Sequence, residues 1–230
     1  IEEGVTNIGD NAFEDCSRLT RISIPSSVTS IGDGAFYCAE SLKKVNIPEG
    51  VTSIGDEAFR KCIGLVSANI PSSVETVGNN AFNACSNLTN INISEGVTKI
   101  GDYAFLNCFN LKSINIPKGL NSIGKDVLGY GLIEIKVDEN NTEYCDVDGV
   151  LYTKDKRELI RYPGSKTDET YTIPEGVINI KAVAFRDNQN LKSIEIPSSV
   201  INIEDDVFKW CNSLEQIKVN ENNLQYMDDN

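Results

Sequence analysis

The chain has no histidine, and its 21 lysines and arginines face 34 aspartates and glutamates, a net charge of −13 over 230 residues. Without histidine, the commonest general base and a frequent zinc ligand are missing, and no Ser-His-Asp set can form. The shortage of positive charge argues against a nucleic-acid partner, because binding phosphates requires clustered cations. It argues against an anionic membrane surface for the same reason. No apolar run approaches the roughly 18 residues of a membrane-spanning helix, so no membrane insertion of this segment is expected. The seven cysteines include no CxxC pair. Neither an initiator methionine nor a secretory signal stands at Ile1, so the sequence is expected to be a piece of a longer protein.

What the chain does have is repetition. "SVTSIGDGAFYCAESLKKVNIP" at 27–48 returns as "GVTSIGDEAFRKCIGLVSANIP" at 50–71. Pro25, Pro48 and Pro71 lie 23 apart, Ser94 holds the next slot, and Pro117, Pro174 and Pro197 follow. Each unit reads IPxxVxxIGxxAFxxCxxLxxIxI. One apolar column runs Ile8, Ile31, Ile54, Val77, Ile100, Ile123, Ile180, Ile203; another runs Phe13, Phe36, Phe59, Phe82, Phe105, Leu128, Phe185, Phe208. A 23-residue unit cannot bury such a set alone, but stacked units place each column on its own copy and build one continuous core. The period lies in the range where one short strand per unit stacks on the next.

Within the unit, "LxxIxI" alternates, so Ile22 and Ile24 are expected inside and Arg21 and Ser23 outside, in a parallel sheet. "VTSI" predicts a second short strand. Asp10, Asp33, Asp56 and Asp102 in "GDxAFxxC" are placed to cap one helical or 3-10 turn. The glycine column Gly9, Gly32, Gly55, Gly78, Gly101, Gly124 calls either for positive φ or for close approach of a neighbouring backbone. Lys181 and Glu204 in the same slot argue that positive φ is not obligatory there.

The period breaks at 138–172. "DVDGVLY" and "RELIRYP" around the polar "TKDK" predict a β-hairpin inserted in an otherwise single unit spanning 1–230. The chain's end, "VNENNLQYMDDN", matches "VDENNTEYCDVD", pairing Val219 with Val137 and Tyr226 with Tyr144. The interruption is therefore a module that begins again.

Candidate sites are few. Cys16, Cys62, Cys85, Cys108 and Cys211 share one column, where a small buried apolar residue is expected; a straight line of thiols does not make a tetrahedral metal site. "DVDG" at 146–149 lacks the further acids of a calcium loop and is expected to be a tight turn. No catalytic residue, metal or cofactor is expected, and a small-molecule substrate is not expected either. The outward strip Asn46, Asn69, Asn92, Asn115 and Lys136 invites two readings: a ladder of stacked amides, or a polar binding face on a concave sheet. Tyr144, Tyr152, Tyr162 and Tyr171 fall in the insert and serve either its packing or an interface.

The unit "IPxxVxxIGxxAFxxCxxLxxI" resembles the BspA-like leucine-rich repeat of bacterial surface proteins, over nearly the whole chain. The interrupting "NxxYxxxDGVLYxKD" also looks like that family. The resemblance implies a right-handed leucine-rich-repeat solenoid with a concave parallel sheet and short helical or 3-10 turns on the convex side. It implies a secreted or surface-anchored protein acting as a non-catalytic interaction scaffold, with adhesion to host matrix proteins or other cells. The alternatives are a structural stalk and an accessory module of a larger surface protein or enzyme.

Overall fold

The computed structural model describes residues 1–226. Each coil after the first contributes two short strands; the first contributes only Asn7–Ile8, and the strand expected at Ile22 and Ile24 is not formed there. The corner strands Asn7–Ile8, Ser30–Ile31, Ser53–Ile54, Thr76–Val77, Lys99–Ile100 and Ser122–Ile123 form a six-stranded parallel sheet. Their register sets Ile8 beside Ile31, Ile31 beside Ile54, and so on to Ile123. On a second face, Lys44–Asn46, Ser67–Ile70 and Asn90–Ile93 pair in parallel, as do Ser113–Ile116 and Glu134–Val137. In the complete coils the shift is one period, so identical side chains meet. Val28, Val51, Val74 and Val97 are buried, as are Leu42, Leu65, Leu88 and Leu111. The phenylalanines stack with ring centroids 5.1 Å apart from Phe13 to Phe36, Phe36 to Phe59 and Phe59 to Phe82, and 5.6 Å from Phe82 to Phe105. Burying each such ring contributes about 1.5–3 kcal/mol before entropy is counted.

The expected helical or 3-10 turns are absent: the described residues contain strands and turns but no helix. The reason lies between coils. In the segment after the corner strand, alternate N–H groups point to different partners. Ala12, Glu14 and Cys16 donate within their own coil to Gly9, Asn11 and Phe13, whereas Asn11, Phe13 and Asp15 donate to the carbonyls of Asp33, Ala35 and Tyr37 in the next coil. A helix would spend every donor internally. Left-handed backbone at Asn11 (φ 57°) and Asp15 (φ 55°) recurs at Gly34 and Cys38, Glu57 and Lys61, and Asn80 and Ala84, and a helix cannot hold it. Asp10, Asp33, Asp56 and Asp102 are therefore not helix caps. Their Oδ1 atoms accept from the backbone N–H one coil on, at Asp33, Asp56, Asn79 and Lys125 over 2.6–2.9 Å.

The glycine column is explained by proximity. A Cβ built on Gly78 would meet Gly55 C at 2.5 Å and Asp56 N at 2.6 Å, while its φ is ordinary. Lys181 is tolerated because it does not stack on a Gly-Asp pair: the coil below it runs Leu159-Ile160-Arg161.

The interruption holds more than a hairpin. Tyr144–Val147, Val150–Thr153 and Glu158–Arg161 make a three-stranded antiparallel meander with a bulge at Leu151/Tyr152. Asp148 and Gly149, both with positive φ (50° and 77°), turn the first corner, as an Asp-Gly pair favours. Glu158–Arg161 then pairs in parallel with the corner strand Asn179–Ile180, placing Leu159 beside Ile180, and Thr170–Thr172 pairs with Ser193–Ile196. Tyr162 stacks on Phe185 at 5.2 Å, so it occupies the phenylalanine column. Residues 158–172 are thus a seventh, shortened coil, following the sixth at Ser122–Ile123. The eighth and ninth follow at 179–196 and 202–219.

The strand Val150–Thr153 lies between two cores. Leu151 belongs to the first, which runs from Ile8, and Val150 and Tyr152 to the second, which runs through Val207. Its alternation sends successive side chains to opposite sides.

Asn141 closes the sixth coil. Its Nδ2 donates to the carbonyls of Pro117 and Leu120, and its Oδ1 accepts from the N–H of Glu143 and Tyr144. Asn223 repeats all four bonds: its Nδ2 donates to the carbonyls of Pro197 and Val200, and its Oδ1 accepts from the N–H of Gln225 and Tyr226. The tyrosine hydroxyls accept from the N–H of Ile123 and Ile203. The sequence match between the two segments is a match of hydrogen bonds as far as Tyr226; its last four residues lie outside the described part.

Candidate functional site

The strip selected from sequence lies on the sheet face. Asn46, Asn69, Asn92, Asn115 and Lys136 are exposed, and each sits between two buried strand residues or beside one. In-register pairing brings Asn46 beside Asn69, Asn69 beside Asn92, and Asn115 beside Lys136. One amide rung is formed, from Asn92 Nδ2 to Asn69 Oδ1 at 2.6 Å. Lys136 pairs with Glu134 at 3.0 Å. Arg21 and Lys44 are exposed in the neighbouring outward column, and Glu195 holds the asparagine slot in the eighth coil, 3.7 Å from Lys218.

The insert tyrosines are placed differently. Tyr152 is 1% exposed and Tyr162 is fully buried, which leaves these rings no surface to offer a partner. Tyr152 Oη shares a hydrogen bond with Tyr171 Oη, and Tyr162 Oη donates to Asp168 at 2.9 Å. Burial raises the pKa of both phenols. Tyr144 is half-buried, and its hydroxyl is spent on the backbone of Ile123 and Asn121.

The cysteine column is buried over Cys62, Cys85 and Cys108, while Cys16, in the first coil, is exposed. Each buried thiol donates to a phenylalanine carbonyl of the preceding coil: Cys62 to Phe36, Cys85 to Phe59, Cys108 to Phe82, at 3.1–3.3 Å. Burial pushes the Cys62 and Cys108 thiols up to about 12. Asn188 fills the same slot in the eighth coil and donates to Pro163. All seven cysteines are free.

One cluster was not expected from the sequence. Asp126, from the sixth coil, is buried against Arg161 of the seventh and Arg186 of the eighth. Arg186 Nη1 lies 2.8 Å from Asp126 Oδ2, and Arg161 Nη1 lies 3.8 Å from Oδ1 and donates to the Val183 carbonyl at 2.6 Å. Tyr130 lies under both guanidinium groups, and Arg186 also stacks on Trp210, 4.4 Å from its ring centroid. Burial pulls the Arg161 pKa below its usual value and pushes Tyr130 up to about 12. The three charged residues are 60 positions apart at the extremes, so only the fold assembles them. A signal existed in the spacing: aligning Tyr162 with the phenylalanine column exposes a coil two residues short between the columns. Asp187 lies 3.5 Å from Arg186 Nε, and chemically the cluster supplies fixed charge and hydrogen-bond donors.

No curated protein matches the chain. Among solved structures, the pneumococcal vaccine antigen PcpA aligns with a TM-score of 0.79 and 28% identity, covering 93% of this chain and 56% of that one. A leucine rich cell surface protein from Faecalibacterium prausnitzii A2-165 aligns at 0.73 and 30% identity, covering 95% of this chain and 67% of that one. A leucine-rich repeat protein from Eubacterium ventriosum aligns at 0.61 and 26% identity, over 80% and 62%. The chain thus spans a little over half of PcpA's solved length. The profile of the BspA type leucine rich repeat region matches in six copies over residues 5–134 and 164–230. With most of its residues inside that match, the chain belongs to the BspA-type leucine-rich repeat family.

Proposed function

We propose that this chain is a non-catalytic protein-interaction scaffold within a bacterial surface adhesin, and that it engages its partner through the sheet face at Asn46, Asn69, Asn92, Asn115 and Lys136. The observation that carries the reading is the in-register row of exposed amides on that face. Regular stacking makes such a surface long, and solenoids use long repeated surfaces for binding. The amides offer donors and acceptors without charge, and Arg21 and Lys44 in the flanking outward column favour an acidic group of the partner at that end. The surface location is carried over from the bacterial cell-surface relatives. With Tyr152 and Tyr162 in the core, the insert's role in this reading is to join the two halves.

The test is capture of host matrix proteins on immobilised chain. Asn69→Glu together with Asn92→Glu should abolish capture at unchanged circular dichroism and melting temperature. Capture that survives the double substitution rules out the sheet face. No capture by the unaltered chain favours a structural stalk.

A further inference from the structure

The seventh coil is cut short at one place. From Leu159, in the corner column, to Tyr162, in the phenylalanine column, there are three steps, where Ile31 to Phe36 takes five. The shorter backbone leaves the ladder between coils open on both sides. In earlier coils Asn11, Gly34, Glu57, Asn80 and Tyr103 each donate their N–H to the next coil. Among the described residues, the equivalent N–H of Asp126 has no acceptor, and neither has that of Leu128, the counterpart of Phe105. Across the gap the carbonyl of Ala182, the counterpart of the Asp33 carbonyl that receives Asn11, has no donor.

Between these groups lies a cavity of about 410 Å³, walled by Val127, Leu128, Ile160, Arg161, Ala182 and Val183 together with Asp126. Such a volume is within the range of ligand pockets. Two buried side chains on its wall are also incompletely paired. Asp126 and Arg161, with side chains 1% and 4% exposed, leave Asp126 Oδ1 and Arg161 Nε and Nη2 without hydrogen-bond partners. Backbone groups left without a protein partner beside a cavity are free to pair with an occupant, and each such hydrogen bond contributes about 0.5–1.5 kcal/mol net.

We propose that this cavity binds a short peptide segment of another polypeptide, with small side chains, whose backbone completes the inter-coil ladder where the seventh coil is deficient. Its carbonyls accept from the N–H of Asp126 and Leu128, and one of its N–H groups donates to the Ala182 carbonyl. Small side chains are required because the cavity holds only about 410 Å³ between the backbones of the sixth and eighth coils. The ladder defines the ligand as a backbone and the cavity defines its bulk. This site is separate from the sheet face, so either can fail without the other.

The probe is the capped peptide acetyl-Gly-Asp-Asn-Ala-amide, titrated into the ¹⁵N-labelled chain. Saturable shifts are expected at residues 123–128 and 181–184, with amide exchange at Asp126 and Leu128 slowed by about tenfold. Ala182→Trp, which fills the cavity from a half-buried position, should remove the shifts and leave the rest of the spectrum in place. In the free protein, Asp126 and Leu128 amides should exchange faster than Gly34 and Phe36 by about tenfold or more. Three results overturn the proposal: no saturable shift by about 5 mM peptide, shifts that persist in Ala182→Trp, or slow exchange of Asp126 and Leu128 in the free chain. If Ala182→Trp does not fold, the exchange comparison in the free protein decides alone.

Discussion

A phenylalanine in the middle of the stack is held by the same residue above and below it. Phe59 is fully buried, with Phe36 and Phe82 each 5.1 Å away. Phe59→Ala removes both stacking partners' contacts and opens a cavity that rigid neighbours cannot close, a cost of about 3–5 kcal/mol in urea unfolding. Phe13, with only one ring neighbour and partial exposure, should lose less when truncated. The thiols give a pH prediction. Burial holds Cys62 and Cys108 near 12 against an ordinary value of 9.0, so the folded state keeps the proton longer than the unfolded one. That contribution is whole below pH 9 and is lost as pH rises toward 12, so stability should fall across that window, and Cys62→Ala with Cys108→Ala should flatten the fall. Alkylation at about pH 8 should modify Cys16 in the native chain and reach Cys62, Cys85 and Cys108 only after unfolding.

At the scale of elements, the apolar columns were legible because they depend only on period and polarity. The alternation Ile22, Ile24 against Arg21, Ser23 needs no tertiary information. The role of Asp33 was not legible, because its Oδ1 is satisfied by Asp56 N–H in another coil, and a single unit read alone makes it look like a helix cap. The insert was half legible. Its turns, Asp148-Gly149 and the Lys154–Arg157 stretch, announce antiparallel strands, but nothing local says that Tyr162 stands in for a phenylalanine. The duplicated Asn-Tyr segment was legible as sequence, and its meaning as a coil closure appears only in the bonds. Asn141→Ala should cost about 2–3 kcal/mol, because the Pro117 and Leu120 carbonyls and two N–H groups lose their partner at a buried site. A loss below about 0.5 kcal/mol in a urea melt would mean that water or backbone takes over.

The whole molecule is a stack in which each coil touches its neighbours, with two cores joined at the strand Val150–Thr153 and at the Asp126–Arg161–Arg186 cluster. Breaking the second joint by Asp126→Ala leaves the buried Arg161 without its counter-ion, while Arg186 keeps Asp187 at 3.5 Å, a destabilisation of about 3 kcal/mol. Cooperativity in such arrays is carried by nearest-neighbour contacts, so the two halves need not unfold together. Trp210 is the sole tryptophan and sits in the second half. Its fluorescence transition in urea should separate from the far-ultraviolet dichroism transition, and coincident curves would assign one cooperative unit to the whole stack. The function proposed for the sheet face and the gap in the ladder both assume that equivalent residues of successive coils are adjacent. The most direct check is a nuclear Overhauser spectrum of the chain labelled on phenylalanine. Cross-peaks are predicted between the rings of Phe36 and Phe59 and of Phe59 and Phe82, with none between Phe36 and Phe82. Absence of the first two, or presence of the third, would contradict the stacking of coil on coil.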